Sequence, residues 1–256
     1  MKIDCHMHVN GESQQWGWDD NDRIIEAADK LGIDKLCVSI PVVRGMPTMD
    51  EVRACNDDVL AAMLRYPDRI LGYCYICPGY RESLDEIERC LDQGMMGIKL
   101  YNQYKICDPA VYPVLEKAID ERIPLLMHAG HPTRAEDWAR QPNLSHAGDF
   151  VRAAQLYPEA MLIEAHIGGG GDWEWTIVQL RDAPSVYLDT SGSVIDAGMI
   201  EMAARELGVD RLLFGTDMTM EGGVGKILAA DLAVDEKERI FWKNMQRILD
   251  RRAVGG

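Results

Sequence analysis

The sequence lacks the features that mark membrane proteins, secreted proteins and nucleic-acid-binding proteins. No run reaches the roughly 18 consecutive apolar residues that a transmembrane helix needs. Lys2, Asp4 and His6 stand where a signal peptide would place its apolar core. Basic residues are scarce, because 27 Lys and Arg stand against 42 Asp and Glu, a net charge of −15. This charge disfavours nucleic-acid phosphates and anionic membranes, so we expect a cytoplasmic protein without either partner.

Motifs for disulfides, metal-binding cysteines and phosphate loops are also missing. The seven cysteines are an odd number dispersed over a long chain, which predicts reduced thiols rather than a disulfide framework. Cys74 and Cys77 match C-x-x-C, but they fall in an apolar run typical of a strand, where residues three apart face opposite sides. The glycine run 168–171 completes neither G-x-G-x-x-G nor GK[ST], so it indicates a turn.

Short apolar runs recur along the whole chain, and segments with helical spacing separate them. The runs are 3–8, 35–40, 70–76, 97–101, 124–128, 161–166, 186–190 and 211–215. Segments 50–66, 83–91, 113–119, 219–230 and 235–250 favour helices. Each interval between runs is long enough for a crossover helix and two loops. Eight strands alternating with helices predict an α/β protein with one (β/α)8 barrel over residues 1–256, and an open doubly wound sheet is the alternative.

Histidines and one aspartate mark the ends of four predicted strands. His6 and His8 are two residues apart on the first strand and therefore project from one face. His128, His166 and Asp217 end or follow the fifth, sixth and eighth strands. The carboxyl ends of barrel strands converge on one rim, and imidazoles with a carboxylate suit Zn²⁺. A single histidine at a strand end is commonly structural, but five matching positions on four strands indicate a metal site.

These motifs resemble the amidohydrolase superfamily, and more narrowly its amidohydrolase-2 branch, which includes enzymes like aminocarboxymuconate semialdehyde decarboxylase. The resemblance runs through IDCHMH at 3–8, GIKL at 97–100, His128, AHIGG at 165–169, YLDTSG at 187–192, LFGTD at 213–217 and NMQRIL at 244–249. It implies a distorted TIM-type barrel with one divalent metal bound by His6, His8, His128 and Asp217. His166 is then a catalytic residue beside the metal. Some branches hold two metals bridged by a carboxylated lysine on the fourth strand, which here is Lys99.

This ligand set predicts a metal-dependent hydrolase. Bound zinc lowers the pKa of its water toward about 7, Asp217 can accept that water's proton, and His166 can stabilise an oxyanion. We expect one Zn²⁺, with Mn²⁺ or another divalent ion as the alternative, and attack on a C–N or C–O bond of a small carbonyl compound. The same site would also serve nonoxidative decarboxylation of an unsaturated carboxylic acid. A barrel that binds metal or ligand without turnover is the third alternative.

Several side chains near the predicted rim are candidate substrate contacts. Arg44 and Arg134 follow the second and fifth strands and could pair with a substrate carboxylate. Trp16 follows the first strand as a possible aromatic cover, and Lys99 and Tyr101 belong to the fourth. Arg140 is a further arginine after the fifth strand. We expect a small carbonyl or carboxylate substrate, and the sequence leaves a homo-oligomer open.

The last expectation concerns Lys99 and Glu164. Strict alternation on the sixth strand places Glu164 on the same face as His166, two residues deeper in the barrel. A buried carboxylate is costly unless it is paired, and an inward Lys99 is its natural partner. We therefore predict a Lys99–Glu164 ion pair beneath a mononuclear site.

Overall fold

The computed structural model describes residues 1–13, 21–167, 169 and 171–253. Eight parallel strands follow one another in the order of the sequence. They are β1 (Ile3–His8), β2 (Lys35–Ser39), β3 (Ile70–Tyr75), β4 (Gly97–Leu100), β5 (Pro124–Met127), β6 (Met161–Glu164), β7 (Tyr187–Asp189) and β8 (Leu212–Leu213). The predicted TIM-type barrel is confirmed, because an open doubly wound sheet would not keep the strands in sequence order.

Helices alternate with the strands and follow the last one. They are α1 (Asn21–Leu31), α2 (Met49–Arg65), α3 (Ser83–Asp92), α4 (Tyr112–Asp120), α5 (Ala135–Arg140), α6 (Ala147–Leu156), α7 (Trp173–Leu180), α8 (Met199–Leu207), α9 (Met220–Ala229), α10 (Val234–Glu238) and α11 (Asn244–Ala253). A π-helical turn, Arg239–Lys243, joins the last two. Within the described residues no helix combines the length and the apolar character required to cross a bilayer.

Two backbone hydrogen bonds link the first strand to the chain that follows the last one. The Cys5 N–H donates to the Phe214 carbonyl at 2.8 Å, and the Asp217 N–H donates to the His6 carbonyl at 2.8 Å. These bonds bring the two edges of the sheet together, so the carboxyl end of β8 lies beside the carboxyl end of β1. The predicted proximity of Asp217 to the two histidines of β1 follows from this closure.

An irregularity in β1 decides which way its histidines face. Asp4 pairs with Leu36 of β2, but Met7, three residues further on, pairs with Val38, only two residues further on. β1 therefore contains one residue more than β2 between these two pairs. The extra residue is a β-bulge, which changes the face that side chains present. Ile3 and Cys5 belong to the cluster inside the barrel, whereas Met7 belongs to the outer cluster beneath the helices. His6 and His8 therefore share the inner side at the carboxyl end.

The C-terminal helix closes the opposite end of the barrel. Met245 and Ile248 of α11 are fully buried and join the interior cluster with Ile3 and Leu213. The buried Asn244 amide donates to the carbonyls of Val209 and Leu212, at 2.9 and 2.8 Å. These contacts pack α11 against the amino end of the barrel.

Candidate metal centre

Three of the predicted ligands meet at the carboxyl rim. His6 and His8 are buried at the end of β1, and Asp217 approaches them from the loop after β8. Asp217 Oδ1 lies 3.1 Å from His8 Nε2 and 3.9 Å from His6 Nε2. Their ligand atoms are close enough together to hold one metal ion. A second group with suitable spacing combines His6 with His166 and Asp189.

Hydrogen bonds to the other ring nitrogens orient both imidazoles of β1. His6 Nδ1 lies 2.8 Å from the Asp189 carboxylate, and His8 Nδ1 lies 2.8 Å from the Ser39 carbonyl. Both partners are acceptors, so each Nδ1 carries a proton, and the Nε2 atoms of both rings lie toward Asp217. Metal-binding histidines commonly donate their second ring N–H to a carboxylate or a backbone carbonyl, as His6 and His8 do here. The donor set therefore fits a divalent metal.

Burial favours the neutral form of His6, His128 and His166, and neutral imidazole is the form that binds metal. Burial, followed by the charge of Lys99, lowers the pKa of His6 to about 3. Burial also lowers the pKa of His128 and His166. Burial by itself would raise the pKa of Asp217, but the neighbouring His166 and His6 hold it well below its usual range. The Asp217 carboxylate is thus ionised.

His166 and Asp217 both depart from strand geometry. Their φ angles are +67° and +46°, in the left-handed region that only a few per cent of residues other than glycine adopt, with asparagine, aspartate and histidine the most frequent among them. The His166 N–H donates to Asp189 Oδ1 at 2.9 Å, and its Nδ1 lies 2.9 Å from Ser191 Oγ and 3.5 Å from Asp217 Oδ2. Backbone held in sparsely populated conformations is typical of functional sites.

His128 reaches this group through His166. His128 Nδ1 lies 3.0 Å from His166 Nε2, and His128 Nε2 lies 3.1 Å from Gln141 Oε1. That amide oxygen also accepts a 2.7 Å hydrogen bond from Asn102 Nδ2, which fixes its orientation. Gln141 therefore favours a proton on Nε2 and leaves the Nδ1 lone pair of His128 facing the site. The assignment of His128 as a metal ligand stays a prediction.

The predicted Lys99–Glu164 ion pair is wrong. Lys99 is fully buried and its Nζ lies 2.8 Å from His6 Nε2. Lys99 pairs in register with Leu126 and Leu126 with Ile163, so these three share the inner side. Glu164 consequently faces outward, and in the described chain its buried Oε2 has no hydrogen-bond partner. Alternation fails between Glu164 and His166 because the chain leaves the strand there with a positive φ.

The predicted substrate contacts are only partly brought together. Arg44 and Tyr101 line one cavity of about 660 Å³, and the Tyr101 ring stacks on His128 with centroids 4.2 Å apart. Lys99 lies directly at His6. Arg134 precedes α5 and is not among the described residues that line this cavity. Trp16 lies outside the described residues, so its predicted role stays untested.

Sequence reasoning missed several residues that orient the site. Asp189, within the motif at 187–192, accepts the hydrogen bond from His6 Nδ1. Ser191 follows it in the same motif and contacts His166. Gln141 and Asn102 come from loops after β5 and β4, and no local pattern distinguishes them from surface amides.

Comparisons with known proteins agree with this architecture. A γ-resorcylate decarboxylase of a Polaromonas species is 22% identical over 288 residues, covering 90% of this chain and 87% of the relative. A Polaromonas dihydroxybenzoic acid decarboxylase, solved with manganese and the inhibitor 2-nitroresorcinol, has a TM-score of 0.75 at 16% identity and covers 98% and 97% of the two chains. A 4-oxalomesaconate hydratase from Rhodopseudomonas palustris has a TM-score of 0.75 at 18% identity and covers 99% and 97%.

The match to a family model is the most specific of these findings. The family described as Amidohydrolase matches residues 3–251, which is nearly the whole chain. The match includes both histidines of β1, His128, His166 and Asp217. The resemblance drawn from the motifs is confirmed: this chain belongs to the amidohydrolase family.

Proposed function

We propose that this protein is a metal-dependent, nonoxidative decarboxylase of a small aromatic or unsaturated carboxylic acid. The observation that carries the proposal is the group of donors on His6, His8 and Asp217 that suits a divalent cation, with the buried Lys99 Nζ 2.8 Å from His6 Nε2. Together these positive charges would receive a substrate carboxylate. Relatives named as decarboxylases, which share the fold over nearly their whole length, support this reaction over hydrolysis.

The residues that would hold the metal are His6 and His8 through Nε2 and Asp217 through Oδ1, with His128 as a further expected ligand. The ion, when bound, would supply a Lewis acid that binds the acidic oxygens of the substrate and stabilises their charge. We propose one ion per site, zinc or manganese. Imidazole ligands favour zinc, whereas manganese is the metal bound in a related structure.

The reaction replaces one bond to carbon with another. The C–C bond to the carboxylate breaks, CO₂ leaves, and a proton takes its place on the same carbon, so the overall change is RCOO⁻ + H⁺ → RH + CO₂. Asp217 and His166 are the residues placed to relay that proton from solvent to the carbon, since His166 Nδ1 lies 3.5 Å from Asp217 Oδ2 and the ionised carboxylate can accept a proton and then donate it. Ser191 and Asp189 hold the His166 ring and backbone in place.

Burial gives Lys99 a supporting role in this scheme. It lowers the pKa of the Lys99 ammonium to about 8. The ammonium group is fully buried beside His6, so its charge would act on the substrate carboxylate from beneath the site and not by direct contact. Loss of the carboxylate as CO₂ removes that interaction and would favour release of the product.

The test is a direct assay of carbon dioxide release by protein of known metal content. Protein loaded with zinc or manganese should release CO₂ from 2,6-dihydroxybenzoate or a related hydroxybenzoate, and metal-free protein should not. A panel of amides and lactones, assayed in parallel, tests the hydrolysis expected from the sequence. Hydrolysis without CO₂ release would overturn the proposal, and no turnover of any compound would favour a metal- or ligand-binding barrel.

A further inference from the structure

A buried lysine of α9 holds the loop that follows β7. Lys226 is only 8% exposed, and its Nζ donates to the carbonyls of Thr190, Gly192 and Val194 at 3.0, 2.8 and 3.0 Å. An ammonium group has three N–H donors, and here each of them has a carbonyl acceptor. A buried charge is costly unless it is hydrogen-bonded, so the ammonium group and the loop 190–194 depend on each other.

The loop that Lys226 holds contains Ser191, which contacts the imidazole of His166. Ser191 Oγ lies 2.9 Å from His166 Nδ1 and donates to Asp189 Oδ1. Ser191 is fully buried, and its N–H donates to the same carboxylate oxygen at 2.8 Å. The carbonyls bound by the ammonium group belong to the residue before Ser191, the residue after it and the third residue after it. Lys226 therefore fixes the backbone on both sides of Ser191.

The same face of α9 packs on the segment that carries Asp217. Gly223 lies three residues before Lys226, and residues three apart share one face of a helix. A Cβ atom at Gly223 would lie 2.6 Å from Cγ2 of Thr216, the residue that precedes Asp217. This face of α9 therefore contacts the loops after both β7 and β8.

We infer that Lys226 is a positioning residue of the proposed decarboxylase and that it acts on His166 through Ser191. The ammonium group holds the loop 190–194 in the conformation that places Ser191 Oγ at His166 Nδ1. Without it three carbonyls lose a donor, and because a buried acceptor without a donor is costly, the loop would move to find other partners. This inference rests on the proposed function, in which His166 and Asp217 relay a proton, and adds to it a residue outside the metal centre.

A double-mutant cycle on the metal-loaded full chain tests the coupling. Lys226→Met keeps a side chain of similar length and removes its donors. It should lower kcat for CO₂ release by about 10- to 100-fold, as expected for a misplaced catalytic group, and leave KM unchanged. Ser191→Ala should lower kcat similarly, and the double variant should be little slower than either single variant, because both changes remove the same contact. Additive losses of kcat would contradict an action through Ser191.

Two further variants assign the effect to the donors of Lys226. Lys226→Gln retains two N–H donors without the charge, so it should keep a higher kcat than Lys226→Met. If the methionine variant does not fold, the glutamine variant takes its place in the cycle with Ser191→Ala. Lys237 of α10 donates to a single exposed carbonyl, that of Leu228, at 2.8 Å, so Lys237→Met is the control and should leave kcat unchanged. Equal losses of kcat in Lys237→Met and Lys226→Met would contradict the assignment.

Nitrogen NMR of the histidine side chains separates this inference from the proposed function, because it requires no turnover. In the full chain labelled with ¹⁵N-histidine, the His166 signals are identified by their loss in His166→Gln. They should shift in Ser191→Ala and in the same direction in Lys226→Met. Unshifted His166 signals in Lys226→Met would overturn the inference, even in protein that releases CO₂. Shifted signals in protein that releases no CO₂ from any acid would support the positioning of His166 and contradict the proposed function.

Discussion

At the scale of single residues, Asp217 joins the two parts of the site. Its Oδ1 faces the histidines of β1 and its Oδ2 faces His166. Its positive φ places the carboxylate over the barrel mouth instead of along the strand. This backbone conformation is unfavourable for most side chains, but asparagine and aspartate tolerate it.

Asp217→Asn should therefore preserve the fold and remove the reaction. The amide fits the same backbone, but it cannot donate and accept the proton as a carboxyl group does. We expect an unchanged far-ultraviolet circular dichroism spectrum and a loss of CO₂ release of at least about 10²-fold. Turnover at the wild-type rate would remove Asp217 from the proposed mechanism.

Gln141 acts on the site through His128. Gln141→Met removes the oxygen that accepts from His128 Nε2, whereas Gln141→Glu retains an acceptor at the same position. If Nδ1 of His128 binds the metal, we expect the methionine variant to bind zinc about 10- to 100-fold more weakly than wild type. Substitution of a residue that hydrogen-bonds to a metal-binding histidine typically has an effect of this size. Competition with a chromogenic chelator measures this affinity, with the glutamate variant as the control. Equal affinities of wild type and Gln141→Met would contradict the role.

Glu164 makes stability depend on pH. Burial raises its pKa well above the usual 4.5, so the folded protein retains a proton that the unfolded chain releases. This contribution to stability is fully present below pH 4.5 and is lost as pH rises from there toward the folded pKa. Glu164→Gln removes that dependence.

The melting temperature of Glu164→Gln should rise relative to wild type as pH increases above 4.5. Glu159→Gln, at an exposed glutamate, is the control. A difference in melting temperature between Glu164→Gln and wild type that stays constant as pH increases would show that Glu164 does not release a proton on unfolding.

At the scale of elements, β1 and α11 have opposite tasks. The bulge in β1 turns His6 and His8 to the inner side at the carboxyl end of the barrel, and Met245 and Ile248 of α11 fill the amino end. The carboxyl end of the barrel thus holds the candidate site, and the amino end holds packed apolar side chains. The interior residues between them, among them Tyr73 and Leu126, are fully buried.

Ile248→Ala tests the packing task of α11. The side chain is fully buried, so its truncation should lower the free energy of unfolding by about 2–5 kcal/mol through lost burial and a cavity. Ile195→Ala, at an isoleucine that is 66% exposed, should change it by no more than about 0.5 kcal/mol. Urea denaturation measures both. A similar loss in the two variants would mean that α11 does not seal the barrel.

At the scale of the whole molecule, metal content and stability are linked. The donor atoms come from β1 and from the loop after β8, so a bound ion ties together segments distant in the sequence. We expect one divalent ion per chain by elemental analysis, and a melting temperature several degrees lower after chelation, because the folded state binds the ion preferentially. Two ions per chain with a carboxylated Lys99 would contradict the mononuclear site.

The sequence by itself determined the barrel and the set of residues at its rim. Each observed strand lies within one of the predicted apolar runs, because burial against helices on one side and the interior on the other requires such runs. His6, His8 and Asp217 could be identified because parallel strands in a barrel bring their carboxyl ends together. These features depend on local pattern and on topology.

Only the tertiary structure decided how those residues are oriented and what surrounds them. Lys99 contacts His6 and not Glu164 because strand register, which no single strand encodes, fixes the inner side. The β1 bulge and the positive φ of His166 break the alternation from which sequence reasoning begins. Gln141 reaches His128 from a loop whose path depends on packing across the barrel mouth. Such contacts arise between residues far apart in the chain, so only the folded arrangement brings them together.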